Sequence, residues 1–377
     1  MTSRERLLAS LQGLPVDRPA VSFYEIGGLR MDPDDPDPFN IYNDPSWRPL
    51  LQLAEQQTDL IRMRWPRLTF RHPELRQEFF QDRQCAHDDV RERRTSLKIG
   101  GRELTQIQQR RATVDTVWTI EHMLKSEEDV RAFLSLPDEI LMQDADCSEI
   151  HQESQALGQR GLVMIDTPDP LCQAATTMSM EDYTVLAFSN PQLFHALLAK
   201  LAAPLHAVTE SVARACPGFL WRIFGPEYAS EPYLPPRLFA EYVVPYTGPM
   251  VKTIRQSGGY ARLHCHGRIR NILPHILSMN PAAIDPIEPP PQGDVSLIDV
   301  RREYGRALTL FGNLEAADIE NLDPPQFAQR VASALRDGTA GEGRGFVLLP
   351  SACPYGRSIT PRTLANYETM VRLTREF

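Results

Sequence analysis

The sequence predicts an α/β protein, a (β/α)8 TIM barrel, and three observations carry that expectation. Eight short apolar runs are bounded by turn residues, and six of them alternate strictly with helical segments. Such alternation calls for parallel strands, and eight units call for closure into a barrel. The 377 residues suit one barrel as a single domain over 1–377. An open doubly wound sheet is the architectural alternative. No G-x-G-x-x-G follows any of the runs, which removes the usual nucleotide-binding signature of that fold.

The elements follow in order. Residues 2–12 form an amphipathic helix, with Thr2 and Glu5 at capping-box spacing and Leu7, Leu8 and Leu11 as its apolar stripe. A first strand ends near Glu25 and a second covers 59–65. Residues 66–150 change character and read as an excursion of antiparallel strands and helices between strands 2 and 3. Its "TSLKIGGRELTQIQ" places a Gly-Gly turn between alternating segments, the mark of a hairpin. The regular part then begins with "GLVMIDT", "GFLWRIFGPE" and "GYARLHC" as strands 3 to 5. "AAIDPIE", "RALTLFGN" and "GRGFVLLP" complete the set. Helices lie between them, including a long one from Pro191 to about Ala215, one over about 236–256 and a last one from Pro361 to Glu376.

Composition narrows the function. The net charge is −9, which argues against nucleic acid as the main partner, because a phosphate-binding surface is normally basic. No apolar run approaches the roughly 18 residues of a membrane span. "MTSRERLLASLQG" lacks the apolar core and cleavage site of a secretory signal, and the six cysteines include no C-x-x-C pair. A cytoplasmic protein with free thiols is expected, and a homodimer is compatible with the sequence.

In such a barrel the chemistry stands at the C-terminal ends of the strands. Those ends carry Glu25, Asp166 with Asp169, Glu227, His264 with His266, Asp285 with Glu288, Asn313 with Glu315, and Cys353. The sharpest element is "HCH" at 264–266. Residues at i and i+2 of an extended segment point the same way, so His264 and His266 are placed to chelate one ion, and Cys265 points into the packing. Cys353 is a candidate third ligand, with Glu227 and Glu288 as oxygen alternatives. The competing reading is a pair of hydrogen-bonding histidines, one of them buried. Asp166, Glu227 and Glu288 are the candidate acid–base residues. The turn "EPPPQGD" stiffens the chain just after Glu288, because proline fixes φ.

The opening "TSRERLLASLQGLPVDRPAV" resembles that of the uroporphyrinogen decarboxylase-like superfamily, which includes cobalamin-dependent methyltransferases. "HCHGRIRNIL", "IDPIEPPPQGD", "LFGNLE" and "GFVLLPSACPY" followed by "TPRTLANY" resemble its later strand ends in the same order. The resemblance spans nearly the whole chain and implies a (β/α)8 barrel. Decarboxylases proper of that superfamily carry an arginine-rich N-terminal run that holds substrate carboxylates. Here the corresponding place reads "SFYEIGGLRMDPDD", with Arg30 amid acids. The methyltransferase branch binds Zn²⁺ through H-x-C and a distant cysteine. Matching it puts His264 at the histidine, His266 at the first cysteine and Cys353 near the second. An imidazole in place of a thiolate raises the site charge by one unit, which makes oxygen or amine substrates worth considering beside thiols.

The expectation is therefore a zinc-dependent methyltransferase acting between a small-molecule heteroatom and a corrinoid (methylcobalamin) carried by a separate protein. The alternative is a metal-free decarboxylase or related lyase using Asp166, Glu227 and arginines at the mouth. A metal-dependent hydrolase of the amidohydrolase type would place H-x-H after the first strand. Here the pair follows the fifth, and no histidine occurs after His275.

Overall fold

The computed structural model describes residues 1–377. Eight parallel strands form one curled sheet: β1 (Ala20–Val21), β2 (Leu60–Arg64), β3 (Gly161–Pro168), β4 (Leu220–Phe224), β5 (Tyr260–His264), β6 (Ala283–Asp285), β7 (Thr309–Leu314) and β8 (Phe346–Pro350). Their order is β1-β8-β7-β6-β5-β4-β3-β2, so each strand from β2 to β8 lies beside its sequence neighbour. This is a TIM-barrel-like α/β architecture.

The ends of the sheet meet without a ladder, where eight units were expected to close. The reason is local: β1 is only two residues long. Asp59 bridges the seam instead. Its N–H donates to Val21 O at 2.7 Å, and its carboxylate accepts from Val21 N at 2.9 Å and from Arg6.

Strand periodicity divides the side chains into two layers. Leu162, Met164, Leu220, Ala283, Phe311, Val347 and Leu349 fill the interior, and Leu7 and Leu11 of the first helix join them. Their neighbours Val163, Ile165, Trp221, Ile223, Ala261 and Leu263 face outward into the larger core under the helices. The same alternation sends Asp166, Arg222 and Arg262 inward. Register aligns Arg222 with Asp166 on one side and with Arg262 on the other. His264 lies one inward step above Arg262, aligned with Asp285 of β6.

The segment between β2 and β3 contains an antiparallel pair, Arg67–Phe70 with Gln143–Asp146. A four-stranded antiparallel sheet spans Phe80–His87, Val90–Ile99, Arg102–Arg111 and Val117–Glu121. Its central turn uses Gly100 and Gly101 at φ 56° and 76°, conformations that favour glycine. The helix expected over 236–256 is two helices, Pro236–Tyr242 and Val244–Gln256. Pro245 explains the break, since it has no N–H to continue the first helix yet suits the opening turn of the second. No helix is long and apolar enough to cross a membrane.

Candidate active site at the C-terminal end of the sheet

The site is built in two tiers. The lower tier is a buried charged network. Arg222 grips Asp166 with two N–H groups, Nε to Oδ1 at 2.5 Å and Nη2 to Oδ2 at 3.0 Å. Its Nη1 donates to the Tyr24 hydroxyl. Arg262 Nε lies 3.0 Å from Asp285 Oδ1, close enough for a charge pair though off-line for a hydrogen bond. His264 Nδ1 lies 2.8 Å from Asp285 Oδ2. Burial works against the Arg222 charge, and Tyr24 and Asp166 beside it more than restore it. Burial also opposes ionisation of Asp285, but Arg262 and His264 outweigh it and hold the carboxyl at about 2. For His264 burial wins and pushes the imidazole down to about 4. The ring is thus neutral at pH 7, with its proton on Nδ1 toward Asp285. Nε2 is left facing the Tyr24 hydroxyl at 3.4 Å.

The upper tier stands around His266. Its Nδ1 lies 2.8 Å from Glu288 Oε1, and its ring meets that of His264 edge-on at 4.5 Å between centroids. Burial would lower the His266 pKa, but the bond to Glu288 and its charge raise it. Glu288 is itself lowered, because His266 and the Gly267 N–H overcome the cost of burial. The chain is forced into place here. Ile287 sits at φ 58°, a strained conformation for a β-branched residue. A Cβ on Gly293 would lie 1.8 Å from Glu288 O, so only glycine lets the proline turn fold back onto Glu288.

Three more carboxyls surround His266. Glu25, Glu227 and Glu315 are each raised by burial, Glu315 to about 7, and each lies within electrostatic reach of His266. Glu315 accepts from Ser351 Oγ at 3.3 Å through one oxygen, and its other oxygen is buried without a partner. Glu227 accepts from the Gly225 N–H at 3.0 Å. Gly225 has φ 112°, and a Cβ there would lie 2.1 Å from Cys172 Cβ.

The residues singled out from sequence are therefore divided. His264, His266, Glu288 and Glu227 come together, as do Glu25 and Glu315. Asp166 lies below them, with both oxygens on Arg222. Asp169 is fully buried and caps the helix Pro170–Thr177, accepting from Cys172 N at 2.6 Å and Thr247 Oγ1 at 3.0 Å. Cys265 packs in the outer core. Cys353 does not face the imidazoles. It lies past the end of β8, donates to Pro354 O at 3.3 Å and sits against Glu25. Burial there pushes its thiol well up. No group of three or more His, Cys, Asp or Glu side chains is arranged to hold a metal ion. The set His264, His266 and Cys353 thus does not fit zinc as placed: each histidine is hydrogen-bonded to a carboxylate, His264 to Asp285 and His266 to Glu288.

Sequence reasoning missed Tyr24, Arg222 and Arg262. The signal for the arginines was a charge on the inward parity of an otherwise apolar strand, in "LWRIF" and "YARLH". Tyr24 carries a second mark that only coordinates reveal, a φ of 61°.

The sequence model of the uroporphyrinogen decarboxylase (URO-D) family matches residues 170–377, more than half of the chain. The chain belongs to the uroporphyrinogen decarboxylase family. The matched part contains β4 to β8, and with them His264, His266, Glu288, Glu315 and Cys353. A solved structure of a methyltransferase from Methanosarcina mazei is similar over 100% of this chain and 99% of its own, with a TM-score of 0.59 and 15% identity. At that identity the likeness concerns the fold. No curated protein matches the chain.

Proposed function

We propose that this member of the uroporphyrinogen decarboxylase family is a methyltransferase. It would move a methyl group between a small-molecule heteroatom and a corrinoid carried by a separate protein. The observation that carries the reading is the charge arrangement of the two tiers. Both barrel-lining guanidiniums, Arg222 and Arg262, already face an aspartate. Above them stand four glutamates, with His266, whose pKa the bond to Glu288 raises, among them. A polycarboxylate such as a tetrapyrrole acid would find both of these guanidiniums already facing an aspartate and would meet several carboxyls, so decarboxylation of such a substrate is disfavoured.

Methyl transfer asks for something else. A heteroatom that gives up its methyl group leaves with an electron pair and needs a proton. One that accepts a methyl group must lose a proton. Groups that hold and release a proton near neutrality suit both directions. Glu315, pushed to about 7, is in that condition, burial raises the partly buried Glu227 as well, and His266 is bonded to Glu288 beside them. His264 Nε2 and the Tyr24 hydroxyl offer neutral polar contacts for orienting the substrate. The corrinoid supplies the cobalt centre that exchanges the methyl group when its carrier docks.

The test is methyl transfer from a panel of methoxylated aromatics and methylated amines to free reduced cobalamin, followed by absorbance. Turnover that falls at least tenfold in Glu315→Gln supports the reading. Release of carbon dioxide from a tetrapyrrole acid, with no methyl transfer from any donor, would overturn it.

A further inference from the structure

A second cavity lies outside the curled sheet. The crossover from β2 to β3 runs through the antiparallel segment before its helix, Ser148–Leu157, packs on β3. Beside that segment the outward side chains Ile165 and Trp221 look across a gap to the long helix Pro191–Ala215. The gap is about 420 Å³, within the roughly 300–1,000 Å³ of small-molecule sites. The helix contributes Leu201, Leu205 and Val208, and the antiparallel pair contributes Leu68 and Phe70. Trp65 and Leu68 line the cavity and are 50% and 43% exposed, so it opens to solvent beside them. None of the mouth glutamates or histidines lines it. Asp166 does, but both its oxygens are on Arg222.

One cation faces this apolar space. The Arg76 guanidinium carbon is 4.1 Å from the ring centre of Phe70 and 3.9 Å from that of Phe80. The stacking orients a planar cation and leaves its N–H edge for other partners. That edge is poorly used: its one hydrogen bond goes to Ile140 O at 3.5 Å. No carboxylate pairs with it. The carboxylate that influences it, Asp82, accepts from Thr95 and Arg93 through Oδ1. A stacked guanidinium with an open edge matches a carboxylate bound through two oxygens.

We propose that this cavity binds an amphipathic monocarboxylate, its apolar body between β3 and the long helix and its carboxylate in the plane of Arg76. The site is independent of the chemistry at the mouth.

Calorimetric titration of the full chain with octanoate and with 1-octanol tests it. The wild type should bind one octanoate per chain. Arg76→Met should weaken octanoate at least tenfold and leave 1-octanol unchanged. Leu205→Trp, which fills the cavity, should remove both. Because Leu205 is buried, Val208→Phe serves as a second filling variant if Leu205→Trp does not fold. Absence of octanoate binding to the wild type, equal affinity in Arg76→Met, or undiminished binding in the folded filling variant would overturn the proposal.

Discussion

His264 Nδ1 lies 2.8 Å from Asp285 Oδ2, and the same carboxylate faces Arg262 through its other oxygen at 3.0 Å. One fully buried aspartate thus fixes the tautomer of the imidazole and balances a buried guanidinium. Removing one partner of such a group leaves an uncompensated charge, which costs about 3–5 kcal/mol. Asp285→Ala should lower unfolding free energy by about that amount in urea titrations. Asp285→Asn should fold better than Asp285→Ala, since an amide oxygen still accepts from His264.

Two groups should tilt the pH dependence of stability in opposite directions. His264 has its folded pKa lowered from 6.5 to about 4, so the unfolded chain binds more protons between those values. By linkage its contribution is present above pH 6.5 and is lost as pH falls toward 4. Glu315 is raised from 4.5 to about 7, so the folded chain holds the extra proton. Its contribution is greatest below pH 4.5 and is lost as pH rises through 7. Denaturant midpoints measured from pH 4 to 8 check both. His264→Gln should flatten the acid side, and Glu315→Gln should flatten the approach to neutrality.

Gly225 positions Glu227. Its φ of 112° and the 2.1 Å approach that a Cβ would make to Cys172 leave no room for a side chain. Gly225→Ala should lower the melting temperature and reduce turnover together. Gly218, also at positive φ but with open space around it, is the control. Gly218→Ala should lower stability without a specific loss of turnover.

Much of this was legible in the sequence because strand interiors are apolar and strand ends are not. The runs "GLVMIDT", "GYARLHC" and "GRGFVLLP" locate β3, β5 and β8 to within three residues. Spacing also puts His264 and His266 together, since a period of two is a local property. What a neighbouring strand offers is not local. Nothing in "AAIDPIE" says that Asp285 pairs with His264 and Arg262 at once. The strand-end rule likewise gave Cys353 a height in the barrel but not a direction. It stands three residues past β8, and the loop turns its thiol to Glu25. The helix Trp47–Gln57 is not legible in the sequence pattern, and the antiparallel pair around Leu68 is covered only by the general expectation of antiparallel strands over 66–150.

In the proposed methyl transfer, the glutamates around His266 serve proton exchange. The most direct measurement is the pH profile of methyl transfer from a methylated donor to reduced cobalamin, in wild type and Glu315→Gln. The wild type should lose activity as pH rises above about 7, the value to which burial raises Glu315, and the variant should be at least tenfold slower and lack that limb. An unchanged rate and an unchanged limb in Glu315→Gln would contradict the claim.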